Sequence, residues 1–227
     1  MSTGVGIDLW IEAERCDTDG RWRSITLSPP LYDGVDARQL AAIFTGSSDL
    51  RDGEWPEPIA PPRGLPPDLS PELHTWAAAW GRDVHTHGWA TLREIADYDW
   101  NRVVVRRAVV FANAFAKWDG QTAPPAYARW VLAATDCEID QDAMRQLVTR
   151  AHAADYPLPE PSAPFPTDAP PGIAPHLHCA LRTRFTTVQW RETCREACRH
   201  FVATTIPRLR GLGPGESVRI VYLVGGA

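Results

Sequence analysis

Lysine is all but missing from this chain. Lys117 is the only one, so the basic side chains, 23 in all, are otherwise arginines, a usage that fits high-GC coding before any functional pressure. Acidic residues outnumber them at 28, for a formal charge of -5. Broad nucleic-acid binding needs a basic footprint, and this balance argues against one. Long apolar runs are missing too. The best of them, Val103 to Ala116, is cut by Arg106 and Arg107, so no membrane span is expected. The N-terminus lacks the basic region and apolar core of a signal peptide, which predicts a cytoplasmic location. The five cysteines (Cys16, Cys137, Cys179, Cys194 and Cys198) form no Cys-x-x-Cys pair and are odd in number. Free thiols in a reducing compartment are expected. Cys194 and Cys198 share a helix face as small apolar filler. Gly46-Ser47-Ser48 lacks the glycine spacing and the lysine of a phosphate loop. No complete nucleophile or acid/base set is present.

What is present concentrates in Arg82 to Trp100. This stretch holds His85, His87, Trp89, Tyr98 and Trp100, with the carboxylates Asp83, Glu94, Asp97 and Asp99. On an extended segment, i and i+2 point the same way, so His85 and His87 face one side together. Such a pair can share a metal or grip one anionic group, though a zinc site needs three or four ligands. Thr91 and Glu94 spell a capping box. The spacing therefore predicts an extended 82–88 followed by a short helix over 91–98.

Three stretches carry a resemblance. They are Arg63-Gly64-Leu65-Pro66-Pro67-Asp68-Leu69-Ser70-Pro71-Glu72, then His85-Thr86-His87-Gly88-Trp89-Ala90-Thr91-Leu92, then Tyr98-Asp99-Trp100. In that order they resemble a family of small bacteriophage and prophage proteins with RGLPxDxSPE, HSHSWLTL and YDW motifs. The closing Val218-Arg219-Ile220-Val221-Tyr222 is similar to that family's C-terminal VRIVFWF. The family opens Met-Gly-Cys-Asp-Ile-His, and here the chain departs from it. Val5 stands at the Cys, Gly6 at the Asp and Asp8 at the His, so two of three metal-type ligands are replaced by non-ligands. The resemblance implies a phage-type accessory protein and brings no mechanism.

The remaining chain reads as scaffold. Residues 5–27 alternate around Asp17-Thr18-Asp19-Gly20 and predict a β-hairpin. A helix is expected over 36–44 with Leu40, Ile43 and Phe44 inward. Ser70 as N-cap and Pro71 at N1 start another. Residues 102–117 mix β-branched residues with alanines, and their length predicts a helix. Helices are also expected over 127–134, 140–154 and 191–209, and strands over 176–190 and 217–224. The Pro-rich stretches at about 45–70 and 155–175 predict exposed loops. His176-Leu177-His178 is a second His-x-His, placed at a strand start. Strands grouped apart from helices imply an α+β class. The expectation is one domain over 1–227, with a mixed or antiparallel sheet of about four strands (5–12, 20–27, 176–189 and 217–224). A helical cap would cover one face.

Two functions follow. The first is an accessory protein that binds a host or phage protein, or a small ligand, without turnover. Its ligand-binding residues would be Asp8, Trp10, His85, His87, Trp89 and Trp100, and the ten tryptophans favour it. The alternative is a hydrolase of phosphoesters or nucleotides that uses a divalent metal such as zinc. Asp8, His85 and His87 would hold the metal, which would activate water.

Overall fold

A computed structural model describes residues 7–46, 53–54, 57–61, 63–81, 84–127 and 137–226. The first strand, β1 (Ile7–Cys16), follows its alternation. Leu9, Ile11 and Ala13 are buried, while Asp8, Trp10 and Glu12 project to the other face. A turn returns the chain to β2 (Trp22–Ile25), antiparallel to the end of β1. The helix α1 (Ala37–Thr45) buries Leu40, Ile43 and Phe44, as its periodicity predicts. Full burial of such side chains is worth about 1.5–3 kcal/mol each. α2 (Pro71–Trp80) starts on Ser70, whose side chain accepts from the Leu73 amide.

β4 (Val84–Thr91) runs straight into α3 (Leu92–Asp97), and the Thr91–Glu94 capping box is fully formed. The closing strand is β7 (Val218–Gly226). It lies between β1 and β4 and is antiparallel to both, giving the order β2-β1-β7-β4. The predicted pairing of 5–12 with 217–224 is thus direct.

The fold is α+β, and the chain divides into two compact units. The first comprises 1–49, 55–102 and 193–227, and the second 50–54 and 103–192. The second unit carries a sheet of order β3-β5-β6, from β3 (Gly53–Glu54), β5 (Val103–Phe111) and β6 (Phe185–Thr193). Its core is formed by Val110, Phe115, Met144, Leu147, Leu181, Val188 and Trp190. α4 (Ala112–Ala116), α5 (Gln141–Ala153) and α6 (Pro175–Thr183) supply much of it.

Four expectations are corrected here. Residues 102–117 are a strand first and a short helix only from Ala112. Val104, Arg106, Ala108 and Val110 are buried in strict alternation, and Arg106 is tolerated inside by its ion pair with Glu192 (2.7 Å). Residues 176–183 are helical because Pro175 sits in the first turn, and the strand that follows joins the second sheet. Residues 191–209 are not one helix. β6 persists to Thr193, then α7 (Cys194–Ala197), a π-helical turn (Phe201–Thr205) and α8 (Ile206–Arg210) follow. In the 45–70 loop, Ala60 is buried and the Ile59 amide bonds to the Ile43 carbonyl (3.0 Å), so that loop is partly packed. The helix expected over 127–134 falls almost wholly outside the described residues.

Candidate functional site

The register of the first sheet decides which site residues share a face. Trp10, Leu223 and His87 stand in one row across β1, β7 and β4, and Glu12, Val221 and Trp89 in the next. Directly opposed residues point the same way. Asp8, Trp10, His87 and Trp89 therefore occupy one face. His85 falls at the bulge between Val84 and Thr86.

The face is shared, but the strand β7 separates its two ends. Two interstrand spacings put β1 and β4 about 10 Å apart. No hydrogen bond or ion pair joins Asp8 to either histidine among the described residues. Nor does any group of three or more His, Cys, Asp or Glu side chains among them have the geometry to hold a metal. The donor set Asp8, His85 and His87 does not fit a metal centre, and no chemistry is derived through one. The second His-x-His belongs to the second unit. On α6, His176 is exposed while His178 is 5% exposed and hydrogen-bonded to the Tyr156 hydroxyl (2.7 Å).

The resemblance motifs instead build a clasp. Arg63 donates to both Glu94 oxygens (3.0 and 2.6 Å) and to the Trp89 carbonyl, with its guanidinium 3.6 Å from the Trp89 ring centre. Arg219 donates to Glu14 (2.7 Å) and Asp68 (2.6 Å) and lies 3.9 Å from the Trp22 ring centre. Glu14 also accepts from the Ser70 amide (2.8 Å). Residues 63–70 are thus fastened over the sheet by two arginines. Burial alone would raise the Glu94 and Asp68 carboxyls, but the arginine hydrogen bonds outweigh it and hold both below their ordinary values. Gly64 sits at a φ of 68°, the left-handed region that glycine favours, and backs onto His87.

Trp89 is therefore held by Arg63, with Arg219 close to its ring. Trp100, expected at the ligand, is 5% exposed; its indole donates to the Ile95 carbonyl and its ring packs near Phe201.

Asp8 and Trp10 are different. They line a cleft of about 410 Å³ with Glu12, Tyr32, Asp33 and Trp76. Trp10 is supported from behind by Trp80, ring centres 4.1 Å apart. Asp33 meets His200 at 3.1 Å. Neither Asp8 nor Glu12 has a hydrogen bond or ion pair to any described residue. Burial pushes the Glu12 carboxyl up. Glu12, Asp33 and Trp76 escaped the sequence reading. Glu12 alone left a trace, since it stands on the Asp8 face four residues on.

A larger cleft of about 630 Å³ lies within the second unit, lined by Phe111, Asn113, Tyr127, Phe165 and Arg182. Its charged side chain, Arg182, already donates to the Thr167 carbonyl (2.6 Å). Asn113 spends its amide on the carbonyls of Glu160, Pro161 and Ala163. The smaller cleft is the better candidate because two of its carboxylates, Asp8 and Glu12, are uncommitted among the described residues. Comparison with protein-family models, with curated proteins and with solved structures finds no match.

Proposed function

We propose that this chain is a phage-type accessory protein that holds a positively charged ligand or partner in the β1 cleft, without turnover. One observation carries the reading. Asp8 and Glu12 lie on one strand face, on either side of Trp10, in a cleft with tryptophan walls, and have no cation of their own among the described residues. Asp8 is exposed, but Glu12 is half-buried, and a half-buried carboxylate without a partner is costly, a cost that an incoming cation offsets. A tryptophan face adds about 0.5–2 kcal/mol toward the same charge. The metal-hydrolase alternative has no comparable support.

Arginine amide is a sufficient probe. Calorimetric titration should show saturable, salt-sensitive binding that weakens in Asp8→Asn and Glu12→Gln. Mass spectrometry should return the probe unchanged after long incubation. Binding that is indifferent to both substitutions would remove the reading, and so would a chemically altered probe.

A further inference from the structure

β1 has only half a partner on its outer side. β2 pairs with Ala13 to Cys16 and no further, while β7 covers the inner side from Ile7 to Arg15. The backbone groups that alternate outward over Ile7–Glu12 find no partner among the described residues. The chain after β2 does not close this gap. Arg208 draws the carbonyls of Pro29, Pro30 and Leu31 toward itself (2.6, 2.6 and 3.2 Å). Pro30 and Tyr32–Gly34 then form the far wall of the cleft, and all six residues from Ile7 to Glu12 line the near one.

We propose that this cleft takes an extended, basic peptide segment as an added strand on β1. Its main chain pairs with the open edge of Ile7–Glu12, and its arginine or lysine side chains meet Asp8, Glu12 and Asp33. The inference rests on the cation-binding reading above and specifies the partner.

Three arguments select this occupant. An unpaired strand edge offers a row of donors and acceptors, and strand addition is a recurrent way of binding peptides. Six residues of β1 span about 17 Å, room for a segment of five or six residues. The third argument is charge. A second copy of this chain pairing edge to edge would set Asp8 and Glu12 against Asp8 and Glu12, and like charges in opposition are destabilising. A basic strand turns that repulsion into attraction. Trp10, standing between the two carboxylates on the same strand face, offers its ring to the same cation.

The test uses the full chain and a capped octapeptide of alternating arginine and valine. The peptide should bind more tightly than arginine amide, and the amides of Ile7–Glu12 should gain protection from hydrogen exchange. N-methylation of one alternate set of peptide residues should weaken binding by roughly tenfold or more, while methylation of the other set leaves it nearly unchanged. The double variant Asp8→Asn/Glu12→Gln should lose binding to a similar degree with no fall in its thermal midpoint. If arginine amide binds as tightly as the peptide, or the two methylated sets behave alike, strand addition is overturned and the cation site stands. If neither probe binds, both readings fall. A free chain that is already dimeric, with Ile7–Glu12 amides protected, would assign the edge to a second copy and overturn the proposal.

Discussion

Removing the guanidinium of Arg219 should be the most damaging single change in the first unit. Arg219 is 2% exposed and Glu14 is fully buried, and they face each other directly across β1 and β7. Arg219→Ala deletes the 2.7 Å bond to Glu14, the bond to Asp68 and the stacking on Trp22. Asp68 is largely exposed and regains water. Glu14 does not, and keeps only the Ser70 amide. Breaking a buried pair from one side costs about 3–5 kcal/mol, chiefly from the stranded charge. In a chain of this size that is a fall of roughly 6–20 °C in the melting midpoint. Urea unfolding followed by tryptophan fluorescence measures it. The double variant Glu14→Gln/Arg219→Met should recover much of the loss, because no charge is then left buried. The reasoning is refuted if Arg219→Ala costs under about 1 kcal/mol, or if the double variant is worse than the single.

The clasp should also shape the acid limb of stability. Glu94 and Asp68 titrate below their ordinary values of 4.5 and 3.8, so their contribution is present above those values and lost as pH falls through the lower, folded ones. The urea midpoint should drop below about pH 4.5 and drop less steeply in Arg63→Gln; a flat profile would contradict this. Glu12 behaves oppositely, its carboxyl raised by burial. Glu12→Gln should therefore stabilise the fold at neutral pH, with the gain vanishing in acid where both side chains are neutral, and a loss at neutral pH would mean Glu12 has a stabilising role. Gly88→Ala would place a methyl 2.4 Å from the Tyr222 hydroxyl, which is bonded to the Phe44 carbonyl. Overpacking of this kind costs about 1–3 kcal/mol, readable as an equal loss in denaturant stability. Limited proteolysis should cut within 168–172, beyond the Thr167 carbonyl that Arg182 holds, before 160–163, because Asn113 tethers the latter; cleavage first at 160–163 would show that the tether is weak.

The sequence is legible where the physics is local. The hairpin, the Ser70 and Thr91 caps and the inward face of α1 all follow from neighbours a few residues apart. Failures came where a distant partner decides. Arg106 reads in the sequence as a break in an apolar run, and its ion pair with the distant Glu192 helps make it an inward strand residue. The alanines of 112–116 suggested one long helix, yet the strand before them is set by sheet pairing. For the site, alternation along β1 put Asp8 beside Trp10, but it could not show that β7 would stand between Asp8 and the histidines. Motif density misled in a specific way. Glu94, Trp89 and Asp68, which look in the sequence like parts of a binding site, partner Arg63 and Arg219, since a buried arginine needs the same partners that a ligand would.

β7 holds the centre of the first sheet although every other element of that unit precedes it in the chain. Until it arrives, β1 and β4 have no partner between them, and Glu14 lacks its cation. During synthesis the first unit must therefore wait, with β4 unpaired and β1 held only by β2, while the whole of 103–192 is made. Contacts of such wide sequence separation close slowly. That interval is when the chain is most open to mispairing or to capture by a folding helper. The acidic edge of β1 then guards a nascent strand as well as a finished cleft.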